Sequence, residues 1–141
     1  MAQRRRVSDD AYARLLTVRT GLRRFERWSA EQAAAQGLTA SQHQLLLAVR
    51  GHPDDVGPTI GQVADYLLIR HHSAVELIDR TVRAGLVERA RDAADHRVVR
   101  LRLTPAGERV LADLTSAHLE ELAQLTALFQ AMLGALGGRP A

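Results

Sequence analysis

Residues 59–107 read TIGQVADYLLIRHHSAVELIDRTVRAGLVERARDAADHRVVRLRLTPAG, and the fold turns on this stretch. Thr59 with Gln62 three residues later is a reciprocal capping pattern, and Ile60, Val63, Ala64 and Leu67 then fall on one helical face. A break at Leu68-Ile69 leads to a second helix, expected from His71 to Ala84, with Ala74, Leu77, Ile78 and Val82 on its apolar side. Gly85 ends it, as a residue suited to the left-handed position after a helix. Two short helices joined by a tight turn make a helix-turn-helix, whose second helix enters the DNA major groove. Leu86-Val87-Glu88-Arg89 predicts a short strand. Val98 to Leu103 predicts another, with Val99, Leu101 and Leu103 facing one way and Val98, Arg100 and Arg102 the other. The intervening residues 91–97 are too polar to bury and long enough to project. A helix-turn-helix followed by such a hairpin is a winged helix, with 91–97 as the wing.

Charge is distributed to match. The chain has 141 residues, 19 Lys plus Arg against 16 acids, and a formal charge of +3. Every one of the 19 basic residues is Arg, and together with the Ala-rich composition this points to GC-rich coding. From Arg70 to Arg102 there are eight Arg against five acids, whereas Leu103 to Ala141 holds two Arg against four acids. The basic end is therefore the helix-turn-helix and wing, as phosphate binding requires. On the second helix His72, Ser73, Glu76, Arg80 and Arg83 lie off the apolar face. Ser73 and His72, with the adjacent His71, can hydrogen-bond to base edges, and Glu76 can accept from a cytosine amino group. Arg70 and Arg83 suit phosphate. In the wing, Arg97 suits the minor groove, with Asp95 two residues earlier to hold it.

Asp92-Ala-Ala-Asp95-His96-Arg97, then Val99-x-Leu101-x-Leu103-Thr104-Pro105-x-Gly107, with Asp79-Arg80 and Gly85-Leu86-Val87 upstream, resemble the MarR-type transcriptional regulators. The resemblance implies the same wing roles for Asp95 and Arg97, and a partly structural role for Asp79-Arg80. It further implies a ligand-responsive repressor, with a small-molecule effector bound between the dimer helices and the winged helix. Trp28, His43 and His118 are the tentative lining of that ligand-binding cleft. Two positions depart from the family pattern: Leu68 stands where Gly is common in the turn, and Arg70 where Ser commonly caps the next helix.

The rest of the chain supplies helices. Ser8-Asp9-Asp10 is a helix start, followed by Ala11, Leu15, Val18, Leu22, Phe25 and Trp28 at gaps of three and four, until Gly37. Arg4-Arg5-Arg6 form an arm before it. Thr39 with Gln42 opens a further helix through Leu45, Leu46, Leu47 and Val49 to Gly51, and residues 52–58 form a turn-rich loop, long for the family. Thr104-Pro105 opens the last helix, with an apolar stripe from Leu111 through Leu114, His118, Leu122, Leu125, Phe129 and Met132 to Leu136. Family resemblance implies a division near Ala117, though no Pro or Gly forces one. Both end helices carry more apolar surface than a small winged helix covers, which predicts a homodimer with recognition helices roughly 34 Å apart.

The expected fold is mainly α with a small β-hairpin wing. It is one MarR-like domain over 1–141, with dimerisation helices at 1–37 and 105–141 and the winged helix-turn-helix at 39–104. The expected partners are double-stranded DNA carrying a pseudo-palindromic operator, a second copy of the chain, and an effector. No cysteine is present, so disulfides and thiolate metal sites are excluded. No His-x-x-x-His motif, nucleophile elbow, phosphate loop or dinucleotide fingerprint occurs, so neither a metal cofactor nor an enzyme is expected. No apolar run reaches a membrane span, which predicts a cytoplasmic protein. Two alternatives have other chemistry: a winged-helix protein-interaction module without DNA binding, and a metal sensor using His43, His118 or His52 across a dimer.

Overall fold

The computed structural model describes residues 6–136 and contains helices α1 (Asp9–Ala35), α2 (Ala40–Gly51), α3 (Ile60–Leu67) and α4 (His71–Arg83). Strands β1 (Val87–Arg91) and β2 (Val99–Leu103) follow, and helix α5 (Pro105–Leu136) ends the described chain. Contacts divide it into two compact units. One comprises residues 30–116; the other comprises, among the described residues, those up to 29 together with 117–136.

In the 30–116 unit, both capping boxes form as the sequence predicts. The Thr39 hydroxyl accepts from the Gln42 amide at 3.1 Å, the Thr59 hydroxyl from the Gln62 amide at 3.2 Å, and each glutamine side chain reaches back to its threonine amide. The core is built where the apolar faces of α2, α3 and α4 meet, around Leu45, Leu46, Val63, Leu77 and Ile78, and is closed by Leu101 from β2. Truncating a fully buried member such as Ile78 to Ala costs about 2–5 kcal/mol in such a core. Leu47 is half exposed, because three consecutive residues of a helix cannot all face one side. Val82 packs against the core as expected, partly buried, and Thr81 beside it is fully buried. The Thr81 hydroxyl satisfies itself by donating to the Leu77 carbonyl at 2.8 Å.

The hairpin pairs Val87 with Leu103 through Arg91 with Val99. Arg91 is therefore the last paired residue of β1 and not part of the loop; the wing tip is 92–98, closed by the Asp92 amide donating to the Val98 carbonyl at 2.9 Å. A third segment joins the sheet edge. Thr59 bridges Arg100, and the Leu101 amide donates to the Pro58 carbonyl at 3.0 Å. Gly57 allows this approach: its φ is +82°, and a Cβ there would lie 2.1 Å from the Leu101 carbonyl oxygen. The Leu-Thr-x-x-Gly pattern has an equally local cause. Thr104 caps α5, its hydroxyl accepting from the Gly107 amide and donating to the Gly85 carbonyl, while a side chain on Gly107 would strike the Leu86 carbonyl.

In the other unit, Ser8 starts α1 through an acceptor contact from the Ala11 amide at 3.2 Å. Helix α5 is unbroken from Pro105 to Leu136, so the division suggested near Ala117 does not occur; Ala, Leu, Glu and Gln dominate there and all favour helix. Leu15, Leu16, Leu119 and Leu133 are each at least 60% exposed, so apolar surface on both helices is left uncovered within the chain. Of the residues singled out in the sequence, Arg4, Arg5, Gly137 and Gly138 lie outside the described residues. Among the described residues no helix is long and apolar enough to cross a membrane.

Candidate nucleic-acid interface

Helix α4 begins at Arg70, which occupies the N-cap with extended backbone and makes no side-chain cap. Its buried side is Ala74, Leu77, Ile78 and Thr81. Opposite lie His72, Glu76, Arg80 and Arg83, all exposed and spaced by four, four and three, so they form one outward stripe with His71 beside its start. Ser73 is half-buried on the flank of that stripe.

The turn before α4 is unusual. Leu68 is the sole residue other than glycine with positive φ among the described residues, at 55°, and it is 91% exposed. The Ile69 amide donates to the Ala64 carbonyl and the Leu68 amide to the Asp65 carbonyl, a paired closure of the α3 end that normally places Gly at the Leu68 position. The left-handed backbone is thus imposed by the turn itself, at a cost of about 1–2 kcal/mol for a residue with a Cβ.

The wing is held from inside. Asp92 Oδ1 accepts from the amides of Ala94 (2.8 Å) and Asp95 (3.0 Å), and Asp92 Oδ2 accepts from Arg100 Nε at 2.9 Å. Those amides first, and Arg100 after them, hold the Asp92 carboxyl below the usual carboxylate range. Asp95 accepts from Arg97 twice through the side chain (3.1 and 3.3 Å) and once through the amide (3.1 Å), and these bonds lower its pKa also, the side-chain bond most. Arg97 remains 91% exposed, so its guanidinium is oriented yet open to solvent. Asp79 on α4 is paired with Arg89 on β1, which ties the helix to the hairpin. The sequence assigns no role of their own to Asp92, Arg89 and Arg100. A signal existed for Asp92, since an Asx turn is a local pattern; Arg89 and Arg100 act at long range.

Of the tentative ligand residues, Trp28 and His118 lie together in one unit. Their ring centroids are 4.7 Å apart, Phe25 meets His118 edge-on at 5.9 Å, and the Ser29 hydroxyl is 2.6 Å from His118 Nε2. His43 is buried within the 30–116 unit. Among the described residues no group of three or more His, Cys, Asp or Glu is placed to hold a metal ion.

Comparison with known proteins agrees with this geometry. The MarR family model matches residues 36–98. YsmB of Bacillus subtilis (strain 168), described as an uncharacterized HTH-type transcriptional regulator, is 39% identical over 64 residues, covering 45% of this chain and 44% of that protein. The matched segment thus spans less than half the length of that relative. The crystal structure of a MarR family transcription regulator superposes with a TM-score of 0.74 at 24% identity, covering 91% of this chain and 89% of that one. The Staphylococcus aureus MepR–DNA complex gives a TM-score of 0.68 at 20% identity, covering 93% and 95%. At these identities the structural likeness bears on the fold: a winged helix-turn-helix with long terminal helices.

Proposed function

We propose that this chain, whose winged helix-turn-helix is of the MarR family, is a sequence-specific DNA-binding transcriptional regulator. The observation that carries this reading is the pairing of two exposed features in one unit: the α4 stripe His72–Glu76–Arg80–Arg83, and an oriented Arg97 at the wing tip. A helix of this kind reads base edges in the major groove, and an arginine on a wing enters the adjacent minor groove. Arg70, His71 and Ser73 lie at the leading end of the helix, where base contacts concentrate. That MepR forms a DNA complex on the same fold supports the assignment.

The finer reading is a homodimer on a pseudo-palindromic operator. The uncovered leucines of α1 and α5 support it, as does an apolar groove of about 440 Å³ between these helices, lined by Leu15, Val18, Phe129 and Met132. In this arrangement residues 1–37 and 105–141 dimerise and 39–104 bind DNA, in the cytoplasm. Repression would follow from promoter occupancy. Release requires an effector with unequal affinity for two dimer shapes, and Trp28, His43 and His118 are its candidate contacts.

Selection of bound duplexes from random DNA, followed by gel shift at two salt concentrations, tests the proposal. A half-site repeated in inverted orientation, with affinity falling steeply as salt rises, is the expected result. Recovery of no enriched sequence would favour the protein-interaction alternative.

A further inference from the structure

The loop at 52–58 is long and turn-rich, and nothing in the DNA-reading surface accounts for it. Its interior is a continuous chain of hydrogen bonds. The Tyr66 hydroxyl on α3 is 2.8 Å from His52 Nδ1, and His52 Nε2 is 3.1 Å from Asp54 Oδ2. Asp54 Oδ1 accepts from the amides of Val56 and Gly57, both at 3.1 Å, which folds the loop back so that the Gly57 carbonyl faces the hairpin. That carbonyl accepts from Arg100 Nη1 at 3.2 Å.

Arg100 is where this chain meets the wing. Alternation along β2 would send it to the solvent side with Arg102, but its side chain is only 22% exposed while Arg102 is exposed. One guanidinium edge holds Gly57 of the loop; the other holds Asp92, whose second oxygen organises the amides of Ala94 and Asp95. Asp95 in turn orients Arg97. A planar guanidinium can serve two acceptors in fixed directions, which a lysine ammonium does less well. Arg100 is also poorly placed for phosphate, since both acceptors already claim it within a half-buried site.

We infer that Arg100 is a positioning residue, and that it and the 52–58 loop together form a strut fixing the wing tip, and with it Arg97, relative to the helix-turn-helix. The DNA part of this inference rests on the function proposed above. The strut itself is a property of the free protein.

The test uses the full chain and two readouts. Trypsin cleavage after Arg97, without DNA, reports wing order; in Arg100→Gln it should be about tenfold faster, while thermal unfolding and cleavage after Arg83 in α4 stay close to wild type. Asp92→Asn breaks the same link from the other side, so the double variant should cleave no faster than either single one. Arg100→Lys should recover part of the protection. Operator affinity should fall about tenfold in Arg100→Gln with the salt slope unchanged, and combining it with Arg97→Ala should add little to Arg97→Ala alone. A shallower slope with additive loss would make Arg100 a phosphate contact and overturn the inference. Wild-type cleavage rates in Arg100→Gln would overturn it as well. If the wild-type protein binds no DNA, the regulator reading fails, and the cleavage data still decide the strut.

Discussion

Replacing Gly57 with Ala should destabilise the 30–116 unit by about 3 kcal/mol. The added methyl meets the Leu101 carbonyl oxygen at 2.1 Å, where ordinary contact starts at 3.4 Å, and the obstacle is backbone. The two segments must therefore part by roughly 1 Å, which a close-packed sheet edge does not absorb freely. Three losses follow. Left-handed backbone with a Cβ costs about 1–2 kcal/mol. The bond from the Leu101 amide to the Pro58 carbonyl contributes about 1 kcal/mol, and the half-exposed bond from Arg100 to the Gly57 carbonyl about as much again. Against these, alanine restricts the unfolded chain and returns about 0.4–1 kcal/mol. Urea unfolding at constant m-value measures the difference, with Gly51→Ala as the control, because nothing lies within 4 Å of its Cβ and it ends a helix. Gly51→Ala should be neutral or slightly stabilising. A loss below about 1 kcal/mol for Gly57→Ala would refute the reasoning, since it would mean the sheet edge tolerates separation.

Four further outcomes are expected. Leu68→Gly should stabilise the fold by about 0.5–1 kcal/mol, the relief of left-handed strain less the entropy glycine regains on unfolding; a lower melting temperature would contradict this. Arg97→Ala should weaken operator binding by about 1–3 kcal/mol, and Asp95→Ala should weaken it too although it removes a negative charge; tighter binding by the Asp95 variant would count against orientation of the wing. Asp92 and Asp95 both have lowered pKa values, so the stability they contribute is fully present above the unfolded carboxylate value of about 3.9 and is lost as pH falls through the lower folded values; amide exchange at Ala94 and Asp95 should stay flat from about pH 5 to 8 once corrected for intrinsic rate, and protection should vanish only in stronger acid. Sedimentation should show a dimer at micromolar concentration that Leu15→Arg or Leu133→Arg dissociates, both side chains being exposed in the single chain; a monomeric wild type would remove the dimer from the proposal.

Within α4, the structure sharpens a choice of register. The sequence offers both Ser73 and His72 for base contacts, but Ser73 is half-buried while His72 and Glu76 lie on the outward stripe. An operator library bound by Ser73→Ala and His72→Ala distinguishes the two, and Arg83→Ala should weaken all sequences alike while making the salt slope shallower by about one unit.

What the sequence determined by itself was local. Thr59 with Gln62, Thr39 with Gln42, and Thr104 before Pro105 start helices because a cap and its partner are three residues apart, within reach of any chain that turns there. The alternation in β2 and the Asp-x-Arg of the wing tip are equally short-range, and so is the left-handed stop at Gly85. The tertiary structure alone decided the contacts that join these pieces. By alternation Arg100 is a solvent-facing strand residue; only the fold brings it the carbonyl of Gly57, 43 positions earlier. Arg89 gained its role from Asp79 on a different element, and Gly57 its necessity from the approach of Leu101. Leu68 shows the same division at one residue. Sequence marked it as a break, yet that its backbone is left-handed and its side chain bare follows only from how α3 ends against the start of α4. Periodicity records which face of an element is apolar; it carries no information about which distant polar groups that element will meet, because such pairs depend on the path of the chain between them.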